Sequence, residues 1–146
     1  MKIHQLSLFL ENKPGRVLEP CRLLAGAGID MRTLTLADTE RFGILRMIVS
    51  DWEKARSLLQ AAGFVVNVIE VVAVEVPDHP GGLAQILEVF EETEINIEYM
   101  YAFPSEQGKK AVLIFRFDKP DPAIERLQGA GIRVVESVQV YKRIRE

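Results

Sequence analysis

A chain of 146 residues is long enough for one ordinary domain or two small ones, and 48% hydrophobic with 27% charged residues is a globular composition. A formal net charge of −3 excludes a general binder of nucleic acid or of anionic membranes. A single cysteine, Cys21, excludes an internal disulfide and a cysteine metal cluster.

Ile3 to Leu10 alternates, with Leu6, Leu8 and Leu10 on one face and Gln5, Ser7 and Phe9 on the other, the pattern of a half-buried strand. Met1-Lys2-Ile3-His4-Gln5 begins this strand and lacks the form of a signal peptide, and no apolar run reaches transmembrane length, so the expected location is the cytoplasm. From Gly15 the spacing turns helical through Val17, Cys21 and Leu24, widened by Leu18 and Ala25, and Gly26 and Gly28 end the helix. Ile29 to Ala37 reads as a second strand, Asp38-Thr39-Glu40 as a polar turn, and Phe42 to Val49 as a third strand. Asp51 is placed to cap a helix from Trp52 to Ala62, with Trp52, Ala55, Leu58, Leu59 and Ala62 on its apolar side. Gly63 closes that helix and Phe64 opens a fourth strand.

The second half repeats this order. Val71 to Val76 is a strand, and Leu83, Ile86, Leu87 and Phe90 form a helical stripe. Ile95 to Phe103 and Ala111 to Phe117 read as strands around a turn at Ser105-Glu106-Gln107-Gly108. Asp121 is expected to cap a helix with Pro122 at its first position, after which Gly129-Ala130-Gly131-Ile132 mirrors Ala61-Ala62-Gly63-Phe64 into a last strand. The offset between copies is 66 before the middle hairpin and 68 after it, a register held through six elements, so the chain is a duplication. The fold class expected is α+β: two tandem ferredoxin-like β-α-β-β-α-β units, 1–70 and 71–146, with antiparallel sheets and helices on one face. Ile44, Ile48, Val112 and Ile114 would then lie on the other face among Arg46 and Arg116, and something should cover them. Phe64 to Val76 runs almost without polar interruption, so no flexible linker is expected between the halves.

One stretch recurs at the first strand-to-helix corner of each copy. It is Asn12-Lys13-Pro14-Gly15-Arg16-Val17-Leu18 in the first and Asp78-His79-Pro80-Gly81-Gly82-Leu83-Ala84 in the second. Proline there suits the first turn of a helix, glycine lets backbone or ligand approach, and a helix start holds an anion on its free N–H groups. The second copy has Gly82 where the first has Arg16, so its corner is expected to be the more open one. Arg16 is placed either to fill its own pocket or to reach a ligand carboxylate.

These corners, with Gly28-Ile29-Asp30 downstream of the first and Glu94-Ile95-Asn96 downstream of the second, resemble the ACT domain, a family of small regulatory modules that bind amino acids. The resemblance covers nearly the whole chain. It implies that modules pair side by side and that a free amino acid meets the corner of one module and the start of the second strand of its neighbour. Backbone N–H groups around Gly15 to Val17 and Gly81 to Leu83 can take the ligand carboxylate, and Asp30 and Asn96, beside Ile29 and Ile95, can take its ammonium. Asp30 carries a full charge and Asn96 only a dipole, so the two sites should differ.

The remaining candidates carry less. His79 sits in the second corner and can donate to a carboxylate, whereas His4 lies on a strand as a surface or interface residue. Cys21 shares the apolar stripe as a small hydrophobe. Tyr99, Tyr101 and Phe103 alternate on one strand, either walling a pocket or packing as an ordinary sheet. The basic end, Lys142-Arg143-Ile144-Arg145, reads as a solvated terminus. No P-loop, nucleophile elbow or histidine–carboxylate metal spacing is present, which argues against an enzyme, and the aliphatic sheet positions argue against RNA stacking. The expected function is a non-catalytic sensor of a free amino acid, homodimeric and without cofactor or metal, whose partner is a regulated metabolic enzyme. The alternative is a regulatory subunit that acts by protein interaction with no ligand at all.

Overall fold

In the computed structural model the described residues are 1–38, 40–103 and 110–142. The turn residue Thr39, the turn Ser105-Glu106-Gln107-Gly108 and the basic residues Arg143 to Arg145 lie outside them. The elements run β1 (Lys2–Glu11), α1 (Leu18–Gly26), β2 (Met31–Asp38), β3 (Phe42–Val49), α2 (Trp52–Ala61), β4 (Val65–Pro77), α3 (Gly82–Glu88), β5 (Ile97–Phe103), β6 (Lys110–Phe117), α4 (Pro120–Gly129) and α5 (Ser137–Lys142). Two compact units form, one from His4–Ile69 with Tyr141, the other from Glu70–Val140 with Met1–Ile3.

The N-terminal unit orders its strands β2-β3-β1-β4. β1 and β3 are antiparallel in the register Leu6↔Met47, Leu8↔Leu45, which puts the leucines of β1 beside the apolar face of β3. That face and the helices enclose Leu6, Leu8, Leu10, Leu24, Ile29, Leu45, Met47, Val49, Ala55 and Leu59. Asp51 caps α2 as expected, accepting from the N–H of Lys54 at 3.1 Å. The stripe of α1 differs from the sequence reading. Pro20 and Leu24 are its buried residues, Cys21 is half-buried, and Val17 and Leu18 stand 38% and 49% exposed. Apolar spacing assigned the stripe to Val17 and Cys21 and left out Pro20, which sits in the first turn, where proline is tolerated, and fills the core.

The C-terminal unit orders β4-β6-β5, with Val72↔Phe115 and Tyr101↔Ile114 fixing the registers. Its core is built from Val72, Val74, Val76, Ile86, Phe90, Phe115, Phe117, Ala123, Ile124, Leu127 and Val134. Phe117 stacks on Phe115 at 5.5 Å and tilts against Phe90 at 5.1 Å. Two expectations need correction here. α4 begins at Pro120 after Lys119, so Asp121 lies in the first turn and is not the cap. The last strand shrinks to one bridge, Val74↔Val134, flanked by bonds from Glu75 N–H to Arg133 O and from Val135 N–H to Ala73 O. The chain then turns into α5, whose end is held in the N-terminal unit. Tyr141 accepts from the His4 N–H at 2.7 Å, and the Arg32 guanidinium donates to the Tyr141 carbonyl at 3.2 Å.

β4 is a single 13-residue strand, so the predicted fourth strand of the first copy and first strand of the second form one continuous element. On the sheet faces away from the cores, Ile48 and Ile114 are 0% exposed, Val112 is 8% exposed and Ile44 is half-buried. Gln5 and Ser7 are buried on the same face of β1 and satisfy each other at 3.1 Å.

Candidate functional site

The two Pro-Gly corners fold alike for a local reason. The N–H of Arg16 donates to Lys13 O at 3.3 Å, with Gly15 at φ +82°, and the N–H of Gly82 donates to His79 O at 3.0 Å, with Gly81 at φ +87°. Proline second and glycine third in a four-residue turn is the type II pattern, since the third position needs positive φ. Proline therefore shapes a turn ahead of the helix and does not occupy its first turn. α1 starts at Leu18, whereas α3 starts directly at Gly82. The N–H groups of Arg16 and Gly82 are spent closing the turns, so among those proposed for a ligand they are already engaged. No hydrogen bond among the described residues uses the N–H of Gly15 or Gly81, and a side-chain atom placed on either glycine would meet nothing within 4 Å.

Gly82 corrects the expectation that it opens the second corner. A Cβ there would lie 1.8 Å from the Pro77 carbonyl oxygen, so the missing side chain is filled by β4 backbone, and Gly82 is buried. The glycine lets α3 start two positions earlier than α1 does in the first copy, pressed against the end of β4.

Around the first corner lies a charge network that motif reading passed over. Glu11 pairs with Lys13 at 3.0 Å and Arg16 at 3.7 Å, and Arg16 pairs with Glu19 at 3.1 Å. The Lys13 ammonium hydrogen-bonded to Glu11, with help from the charge of Arg16, holds the Glu11 carboxyl below its ordinary value. Arg16 is thus committed to neighbouring carboxylates; its i, i+3 spacing to Glu19 was the signal available in sequence. The second copy has Pro77, His79, Gly82 and Gln85 at the equivalent positions, and no such network. His79 there turns Nδ1 toward Pro80 O at 2.9 Å.

The strand starts are pinned by one device used twice. Asp30 N–H donates to the Ser50 hydroxyl at 3.1 Å and Ser50 N–H returns to Asp30 O at 2.9 Å. Asn96 N–H donates to the Asp118 carboxylate at 2.9 Å and Asp118 N–H returns to Asn96 O at 3.1 Å. The side chains differ in consequence. Asp30 is bound to Arg32 at 2.6 Å, while the Asn96 amide has no hydrogen-bond partner among the described residues. Ile29 is 6% exposed in the core, and Ile95 and Leu83 pack against the other core, so none of the three is presented at the surface as Asp30 and Asn96 are. Asn12, Pro14, Asp78, Pro80 and Ala84 are exposed.

Among the described residues no group of histidine, cysteine and carboxylates is placed to hold a metal, and no helix is long and apolar enough to cross a membrane. No curated protein sequence matches the chain. Among solved structures, a Bacteroides thetaiotaomicron protein is 38% identical over 97% of both chains, with a TM-score of 0.90. The regulatory subunit of aspartate kinase from Thermus thermophilus shares the fold at TM-score 0.59 and 18% identity, over 87% of this chain and 91% of that one. The corresponding subunit from Thermus flavus does so at 0.60 and 18%, over 90% and 94%. The duplicated ferredoxin-like units and twin Pro-Gly corners carry a family match across residues 1–143, and the chain belongs to the ACT domain pair family.

Proposed function

We propose that this chain is a non-catalytic sensor that binds a free amino acid at a Pro-Gly corner and passes the bound state to a regulated metabolic enzyme. The observation that carries the reading is the twin type II turn. Each exposes a positive-φ glycine with an unengaged N–H and open space beside it, in a fold with a pinned acceptor at each second-strand start. The second corner is the better site: among the described residues it carries no ion-pair network, and the Asn96 amide has no hydrogen-bond partner where Asp30 is tied to Arg32. The ligand's ammonium is met by such an acceptor from a neighbouring module, which in a homodimer belongs to the partner chain. Dimerisation is supported by β2, an edge strand whose Leu34 and Leu36 are each 51% exposed. A regulatory output is supported by the names of the aspartate kinase regulatory subunits that share this fold. Binding changes the output only if the ligand prefers one arrangement of the modules.

Thermal unfolding against each of the twenty amino acids tests this. An amino acid at about 100 times its dissociation constant adds roughly 2.7 kcal/mol of stability. That gain should fall in Asn96→Ala and persist in Asp30→Ala. Absence of any response, repeated by calorimetry, overturns the reading in favour of the ligand-free interaction subunit.

A further inference from the structure

The C-terminal unit contains a cavity of about 350 Å³ that neither corner explains. Its volume lies near the lower end of small-ligand pockets, roughly 300–1,000 Å³. Ile86, Val89 and Ile132 supply apolar wall, and Glu75, Lys110 and Arg133 supply charge. The Glu75 carboxylate is only 16% exposed and is held by Arg133 at 2.8 Å and Lys110 at 3.2 Å, while those two cations are 57% and 67% exposed.

The duplication provides a control for this cluster. By the offsets of 66 and 68, the positions of Glu75, Lys110 and Arg133 are occupied in the first copy by Phe9, Phe42 and Val65. Register confirms the equivalence, since Glu11 pairs Phe42 in one sheet as Pro77 pairs Lys110 in the other. Phe9, Phe42 and Val65 are exposed; Phe9 and Phe42 lie in β1 and β3 as Glu75 and Lys110 lie in β4 and β6, while Val65 opens β4 and Arg133 precedes the single bridge at Val134. The fold at this place therefore does not require charges, and the second copy carries three of them beside a cavity.

We propose that this cavity binds a small monoanion with an aliphatic body, a branched carboxylic acid in chemical class. One carboxylate and two cations sum to a single positive charge, which a monoanion neutralises. Both cations are solvent-exposed, so each can share its donors between Glu75 and an incoming carboxylate. The hydrocarbon part lies on Ile86, Val89 and Ile132. A zwitterion adds an ammonium that finds Glu75 already engaged, and a plain amine meets two like charges.

Calorimetric titration of the full chain with 4-methylpentanoate, leucine and 3-methylbutylamine tests the assignment. Saturable binding of the acid to one site is expected, with leucine at least tenfold weaker and the amine silent. The combined variant Glu75→Phe, Lys110→Phe, Arg133→Val places the first copy's residues in the second. It should fold, judged by circular dichroism and melting, and lose the acid at least tenfold. Arg133→Met alone, which keeps the Lys110–Glu75 pair, should weaken the acid in the same direction. Any amino-acid response of the corners should survive the combined variant, so either proposal can fail without the other. No acid binding, undiminished binding in the combined variant, or an amine binding as tightly as the acid each overturns the proposal.

Discussion

Replacing Gly82 by alanine separates a packing glycine from a conformational one. The new Cβ would sit 1.8 Å from the Pro77 oxygen and 2.9 Å from its carbonyl carbon, both backbone atoms that no rotamer change can remove. The start of α3 must then retreat from the end of β4 by more than an ångström, dragging Ile86, which is 3% exposed in the core. Overpacking costs about 1–3 kcal/mol, and a backbone clash belongs at the upper end, about 3 kcal/mol. At Gly81 the space is open and only the φ of +87° opposes a side chain, for about 1–2 kcal/mol. At roughly 3 °C per kcal/mol for a chain of this size, Gly82→Ala should melt about 9 °C below wild type and Gly81→Ala about 4 °C below it. Differential scanning calorimetry with urea midpoints for both variants measures the difference. If Gly82→Ala melts at or above Gly81→Ala, the close approach of α3 to β4 is not what Gly82 serves, and the reading of an open second corner returns.

Two further outcomes test single side-chain hydrogen bonds. Tyr141→Phe should cost about 1 kcal/mol at pH 8, because the His4 N–H that donates to the phenol at 2.7 Å loses its acceptor. Burial raises the Tyr141 phenol above its usual value of 10.0, against a smaller opposing effect of its bond to the His4 backbone. The folded chain thus keeps a proton that the unfolded chain releases: this stability is complete below pH 10 and is lost as pH climbs through the raised value. The urea-midpoint gap between wild type and Tyr141→Phe should therefore narrow at pH 10.5, and a gap independent of pH would count against the buried phenol. Asp51→Ala, which strips the cap from the Lys54 N–H, should lower stability by about 1 kcal/mol while Asp121→Ala, at a residue that caps nothing, changes it by less than half of that in the same titration.

How far the sequence was legible follows from which physical signal each feature leaves. Strand alternation is local and period-two, so β1, β3 and β6 could be read almost to the residue, and β3 to both ends. Helix phase is less secure where a residue works against its reputation: Pro20 is core, and Val17, placed in the stripe, is exposed. The last strand failed because Ile132 to Val135 has strand composition but pairs β4 only at Val134, after which the chain is drawn into α5. Nothing local in Ser137 to Lys142 announces that its end will bond to His4 and Arg32, more than 100 residues away in sequence. At the corners the turn chemistry was legible in Pro-Gly, but the role of Gly82 was not, since an absent side chain does not say whether space or backbone replaces it.

The duplication tells which features the fold needs and which a ligand would tune. Both copies keep the type II turn and the reciprocal bonds between the second-strand start and the residue after the third strand, although Ser50 uses a hydroxyl where Asp118 uses a carboxylate. A bond preserved through a change of chemical group marks a geometric requirement: the backbone N–H of Asp30 and Asn96 must be fixed whichever side-chain acceptor is at hand. The charges around it are not preserved. Glu11, Lys13, Arg16 and Glu19 give way to Pro77, His79, Gly82 and Gln85, and Phe9, Phe42 and Val65 give way to Glu75, Lys110 and Arg133. The first corner carries its own ion pairs beside an apolar sheet end, and the second, among the described residues, carries none at its corner beside a charged sheet end. Charge thus sits at the corner in one copy and beside the cavity in the other, the asymmetry expected if the two modules respond to different ligands.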